Sequence, residues 1–113
     1  MSDLPPEDVL YLRHILDSIS QIQSYNAGLS QTEFESNRLV QDAVVRQLQI
    51  IGEAAKRVSG VTRGQSPQVP CRKITGMRDK LTHDYMGVDT AAVWLTCQQD
   101  LVPLRSAISL LLE

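Results

Sequence analysis

Three side chains with different chemistries fall inside one eight-residue window, Arg78-Asp79-Lys80-Leu81-Thr82-His83-Asp84-Tyr85. Arg78 is a permanent cation, His83 is of the type that titrates near neutral pH, and Tyr85 carries a phenol that donates hydrogen bonds or acts as a nucleophile. Together they match what phosphodiester cleavage beside a ribose 2′-hydroxyl needs without a metal. That reaction takes a proton acceptor for the hydroxyl, a proton donor for the leaving oxygen and a cation for the extra charge at phosphorus. His83 suits the proton transfers, and Arg78 presents a planar fork to phosphate oxygens. A plainer reading also fits each residue: Arg78 pairing with a carboxylate, His83 at a helix C-terminus, and Tyr85 packed in the core.

The charge around the window favours a phosphate ligand. Lys56, Arg57, Arg63, Arg72, Lys73, Arg78 and Lys80 face only Asp79 between positions 56 and 80, a net charge of +6. The remainder holds four basic and twelve acidic residues, −8, so the overall −2 hides a strong asymmetry. Such a segment reads either as a solvated face or as an anion-binding surface flanked by repulsive charge. Arg72, Lys73 and Lys80 are candidate RNA-backbone contacts, and Asp79 a supporting polar residue of the window.

Helices must position these groups. With 113 residues and 42% hydrophobic content, the chain is predicted to form a single soluble domain over 1–113. Val9, Leu12, Ile15, Leu16, Ile19 and Ile22 recur at helical spacing, which predicts a helix over about 5–25 that starts on Pro5 and Pro6. Ser30-Gln31-Thr32-Glu33 has the capping-box pattern of a short turn. A long helix over about 37–58 follows, its inward positions Leu39, Val40, Ala43, Val44, Leu48, Ile51, Ala55 and Val58. Gly60, Gly64, Pro67 and Pro70 mark 59–70 as a loop. A third helix is expected from about Cys71, with Ile74, Met77 and Leu81 inward, ending at Gly87. Asp89 caps the last helix, over about 90–112, which Pro103 should kink. Nothing alternates with a period of two, so the expectation is all-α: an antiparallel bundle of four to five helices.

On a regular helix Arg78 and Tyr85 lie about 20° apart and roughly 10 Å along the axis, whereas His83 is about 140° from Arg78. All three therefore cannot aim at one small group from one regular helix. Either the helix unwinds before Gly87, or a second subunit completes the site around a two-fold axis.

Several classes are disfavoured. No apolar run approaches the roughly 20 residues that span a bilayer, and Met1–Glu7 lacks a signal-peptide pattern. Cys71 and Cys97 have no zinc-ligand spacing and read as free thiols of a cytoplasmic protein. Neither a metal nor a cofactor is expected, and no Gly-rich phosphate loop is present.

Arg78-x4-His83-x-Tyr85 resembles the signature of HepT-like proteins of the HEPN superfamily. The similarity extends to Leu39-Val40-Gln41-Asp42-Ala43-Val44-Val45-Arg46, to Ile51-Gly52-Glu53-Ala54-Ala55-Lys56-Arg57, and to Gly76-Met77-Arg78-Asp79 through His83-Asp84-Tyr85 to Gly87-Val88-Asp89. The resemblance implies a helical homodimer that serves as the toxin of a toxin–antitoxin pair. It implies a metal-independent endoribonuclease acting on tRNA or mRNA, with Arg78 and His83 catalytic. It also implies a small MntA-like nucleotidyltransferase partner that adenylylates Tyr85. Asp79 stands where many relatives carry Asn, and Cys71 and Met86 where many carry aromatics. Two other readings remain: a non-catalytic dimer that docks a nucleotidyltransferase or binds RNA or a nucleotide, and a purely structural bundle.

Overall fold

The first helix begins where the chain has no backbone donors to lose. In the computed structural model, which describes residues 4–65, 76 and 89–113, Pro5 is the N-cap of α1, Pro6–Asn26. Leu12, Ile15, Ile19 and Ile22 are buried along one face, with Val9 and Leu16 half-buried at its edges. The helix ends in a tight turn at Ala27 and Gly28. Gly28, at φ 79°, takes the left-handed conformation that glycine adopts without strain, and the Leu29 N–H donates to the Asn26 carbonyl across the turn.

The capping box forms as its sequence predicts. Ser30 Oγ accepts from the Glu33 N–H, and Glu33 Oε1 accepts from the Ser30 N–H, which starts α2, Gln31–Glu35. Asn37 then caps α3, Arg38–Arg57, through its side-chain oxygen and the Val40 N–H. Gln41 of α3 turns back to donate to the Phe34 and Glu35 carbonyls, closing the open end of α2.

α1 and α3 form the main helix pair, and they run antiparallel: Asp8 near the start of α1 meets Ser59 just past the end of α3. Val44, Leu48, Ile51 and Ala55 of α3 are buried in the core they share. Leu39, expected to point inward, is instead 81% exposed. At 100° per residue it lies about 180° round the helix from Leu48, so one rigid helix cannot bury both on the same side.

The stretch expected as a loop contains a short helix, α4, Gly60–Gln65. Its anchor is polar. The Asp8 carboxylate, 3% exposed, accepts from the Ser59 N–H at 3.1 Å, from the Ser59 hydroxyl at 2.5 Å, and from the Thr62 hydroxyl. Arg63 completes the corner by donating to the Ala55 and Lys56 carbonyls at the open end of α3.

Burial alone would raise the Asp8 pKa, but the Ser59 and Thr62 hydroxyls, the Ser59 N–H and the Arg63 charge together hold it below its ordinary value. A carboxylate depressed in this way contributes stability above its unfolded pKa of about 3.9, and the contribution disappears as pH falls through the folded value. Asp8→Asn is therefore expected to lower stability by about 1–3 kcal/mol at pH 7 and by much less near pH 3. Urea unfolding at the two pH values measures it; an equal deficit at both would show that ionised Asp8 is not the anchor.

Asp89 caps α5, Thr90–Gln99, by accepting from the Ala92 N–H at 3.1 Å. α6, Leu101–Leu111, follows after Asp100 alone. The bend expected near Pro103 is thus a full interruption. Proline has no N–H to give the Gln99 carbonyl, and its ring crowds that carbonyl, so the helix breaks at Asp100 and Pro103 sits in the first turn of α6. Val93, Cys97, Leu101, Leu104 and Ile108 are buried against the rest of the core, while Trp94 and Leu111 are half-buried. Burial pushes the Cys97 thiol up to about 11 despite an opposing hydrogen bond with Asn26, so it stays protonated near neutral pH. Arg105 ties α6 to α1 by donating to Gln23 at 2.7 Å and Ser20 at 2.6 Å. The described residues thus form an all-α bundle of six helices, with no strand among them.

Candidate functional site

Arg78, His83 and Tyr85 lie outside the described residues, as do Asp79, Arg72, Lys73 and Lys80. The same is true of the helix expected from about Cys71 and of its inward residues Ile74, Met77 and Leu81. What the fold describes is how the chain is held on either side of the window. Upstream, the Asp8–Ser59–Thr62 corner and Arg63 fix α4 against the ends of α1 and α3. Downstream, Asp89 caps α5, and the Thr90 hydroxyl donates to Glu35 of α2 at 3.3 Å.

Three members of the basic segment are described, and two of them are engaged within the fold. Arg63 is bound to α3 carbonyls, and Arg57 pairs with Glu53 one turn back at 3.2 Å. The Tyr11 hydroxyl, and after it the Glu53 carboxylate, hold the Arg57 guanidinium above its ordinary pKa. Lys56 is exposed.

A groove of about 500 Å³ runs between α1 and α3. Tyr11 and His14, one helical turn apart, line it from α1. Arg46, Gln49, Glu53 and Arg57 line it from α3 at steps of three and four, and Ile50 and Ala54 contribute its apolar part. The window drew attention to Arg, His and Tyr packed close in sequence. The groove brings the same three residue types together from helices more than thirty positions apart in the chain. The sequence signal for it was a polar stripe on α3, but the α1 residues that face the stripe depend on how the two helices pair.

Residues 15–111 match the family model described as Ribonuclease HepT-like. The chain belongs to the HepT-like ribonuclease family. It is 36% identical to "Probable ribonuclease HepT" of Thermococcus cleftensis over 95 residues, covering 84% of this chain and 86% of that protein. It is 35% identical to "Putative RNase MJ1216" of Methanocaldococcus jannaschii over 103 residues, covering 90% and 85%. "Putative RNase TTE0752" of Caldanaerobacter subterraneus is also 35% identical over 103 residues, covering 91% and 92%. No solved structure matches the chain.

The HepT-like match includes every residue singled out in the window and the α3 wall of the groove, whereas Tyr11 and His14 precede it. Among the described residues no helix is long and apolar enough to cross a membrane. Nor, among those residues, do three His, Cys, Asp or Glu side chains gather as a metal site would require.

Proposed function

We propose that this HepT-like protein is the toxin of a toxin–antitoxin pair, a cytoplasmic homodimer that cleaves tRNA or mRNA without a metal. The supporting observation is the family match over 15–111 with Arg78-x4-His83-x-Tyr85 inside it. His83 takes the proton of a ribose 2′-hydroxyl, whose oxygen attacks the adjacent phosphorus. The bond from phosphorus to the 5′-oxygen of the next nucleotide breaks, and that oxygen receives a proton as it leaves. Arg78 holds the non-bridging oxygens as charge builds on them. The products are a 2′,3′-cyclic phosphate and a 5′-hydroxyl end. Arg72, Lys73 and Lys80 contact the RNA backbone, and Asp79 orients a neighbouring cation. Cleavage of RNA in EDTA, with these two ends on the products, tests the reading; an intact RNA pool after incubation with folded protein would sink it.

Tyr85 is the point of control in this proposal. A nucleotidyltransferase partner of the MntA type joins AMP to its phenolic oxygen, with pyrophosphate leaving when ATP is the donor. The modification adds bulk and negative charge where an RNA phosphate must bind, so it blocks cleavage. Co-expression with a nucleotidyltransferase encoded beside this gene is expected to raise the intact mass by whole AMP units. The increase should be absent from Tyr85→Phe; an unchanged increase in that variant would place the modification on another residue.

A further inference from the structure

The groove between α1 and α3 is built differently from an ordinary solvated helix face. Its polar groups come from two helices and converge on one concavity: Tyr11 and His14 from α1, and Arg46, Gln49 and Arg57 from α3. Tyr11 and Gln49 are half-buried, while His14, Arg46 and Arg57 are exposed. Arg46 forms no ion pair with any described residue, and the side-chain donors of His14 and Gln49 have no partner among them. Glu53 is the only acid lining the groove among the described residues, and its charge is matched by Arg57 at 3.2 Å. With His14 neutral, Arg46 leaves these groups with one net positive charge, in a chain whose overall charge is −2.

Arg46 and Arg57, the latter held by Glu53, mark the two ends of the groove's α3 wall, eleven residues apart and roughly 16 Å along the axis. A stacked nucleic-acid strand places a phosphate about every 3.4 Å, so this length corresponds to about four or five nucleotides. The composition also suits a single strand. Arg46 and the side-chain donors of His14 and Gln49 take phosphate oxygens, while Tyr11 and the apolar Ile50 and Ala54 offer surface to a base face.

We propose that the α1–α3 groove is a binding site for single-stranded RNA, which holds a backbone tract of the substrate. Arg46 is its principal phosphate contact, with His14 and Gln49 as supporting donors and Tyr11 as the stacking surface. The assignment of the strand rests on the ribonuclease reading above. The groove's contribution is to affinity and positioning, not to bond cleavage.

Binding and cleavage are measured separately, so the two readings can fail separately. In a His83→Ala background, which is designed not to cut, anisotropy of a fluorescein-labelled single-stranded RNA oligonucleotide reports affinity across a salt series. Adding Arg46→Ala is expected to weaken binding about tenfold. It should also lower the slope of log K against log salt by about 0.7, the value for one phosphate contact on a single strand. His14→Ala with Gln49→Ala should weaken binding further, whereas Arg38→Ala, which removes an equal charge outside the groove, should leave it nearly unchanged. With His83 intact, Arg46→Ala should raise KM for a long RNA much more than it lowers kcat.

Unchanged affinity and salt slope in a folded Arg46→Ala protein would overturn the proposal, and so would an equal loss in Arg38→Ala. Retained RNA affinity combined with lost capture of the purified nucleotidyltransferase would assign the groove to a protein partner and also overturn it. If wild-type protein binds RNA through Arg46 but never cleaves it, the ribonuclease reading fails and the RNA-binding groove stands.

Discussion

His83→Ala is expected to reduce EDTA-insensitive RNA cleavage by about 10²–10⁴-fold, the range typical for loss of a positioned general acid or base. No other side chain in the Arg78–Tyr85 window exchanges protons so readily near neutral pH. Its removal should therefore appear in kcat much more than in KM. Arg78→Ala should cost a comparable factor, about 10²–10³-fold, by withdrawing charge stabilisation when the phosphorus carries most negative charge. Arg78→Lys should recover part of this loss, because a lysine restores the charge but not the two-pronged geometry. Circular dichroism and size-exclusion elution establish that each variant is still folded and assembled like the wild type. Undiminished cleavage by a folded His83→Ala protein would falsify the assignment of the proton-transfer role.

Phe34→Ala is expected to be the most damaging single change to the described core, at about 3–5 kcal/mol. Phe34 is 0% exposed, and its ring lies 5.3 Å from that of Trp94 at an interplanar angle of 42°. It is carried by α2, which has only five residues and is too short to persist by its own hydrogen bonds. The capping box starts that turn and Gln41 closes it, but the buried ring joins it to Trp94 of α5 and to the common core. Against a typical total of about 5–15 kcal/mol, the loss is a large fraction of stability and should lower Tm by about 10–20 °C. Phe34→Leu keeps most of the volume and should cost under about 1.5 kcal/mol. Urea or thermal unfolding decides: a loss below about 1 kcal/mol in Phe34→Ala would mean the ring is not central to the core.

The two long helices were legible because they bury one apolar stripe each, and stripe and caps are both local patterns. Ser30 with Glu33, Asn37 and Asp89 act within three residues of themselves, so their spacing in the chain is their spacing in space. Leu39 departs from its expected burial for a related reason: apolar residues near a helix start join the stripe by type, while the 100° step puts this one on the far side. α4 is not legible in the sequence because it has almost no apolar stripe of its own. Its buried contact is Thr62 on Asp8, 54 positions earlier, and its second tie is Arg63 reaching back to α3.

The Arg78–His83–Tyr85 window and the basic segment around it could be read from residue types and spacing alone, and the family match places them in a HepT-like protein. Which cations are available to a ligand is a tertiary matter. Of the described members, Arg57 and Arg63 are occupied within the fold, whereas Arg46, outside the basic segment, is not paired with any described residue. The groove that includes Arg46 is likewise a product of pairing. A helix sequence determines which residues share a face, because its period is set by backbone geometry. Which face of a second helix lies opposite, and at what height, is decided by packing of the whole core. In this chain the local rule determined the two long helices and their caps, and it picks out Arg78–Tyr85 as the candidate window. Tertiary packing decided the Asp8 corner and the meeting of Tyr11 and His14 with Arg46.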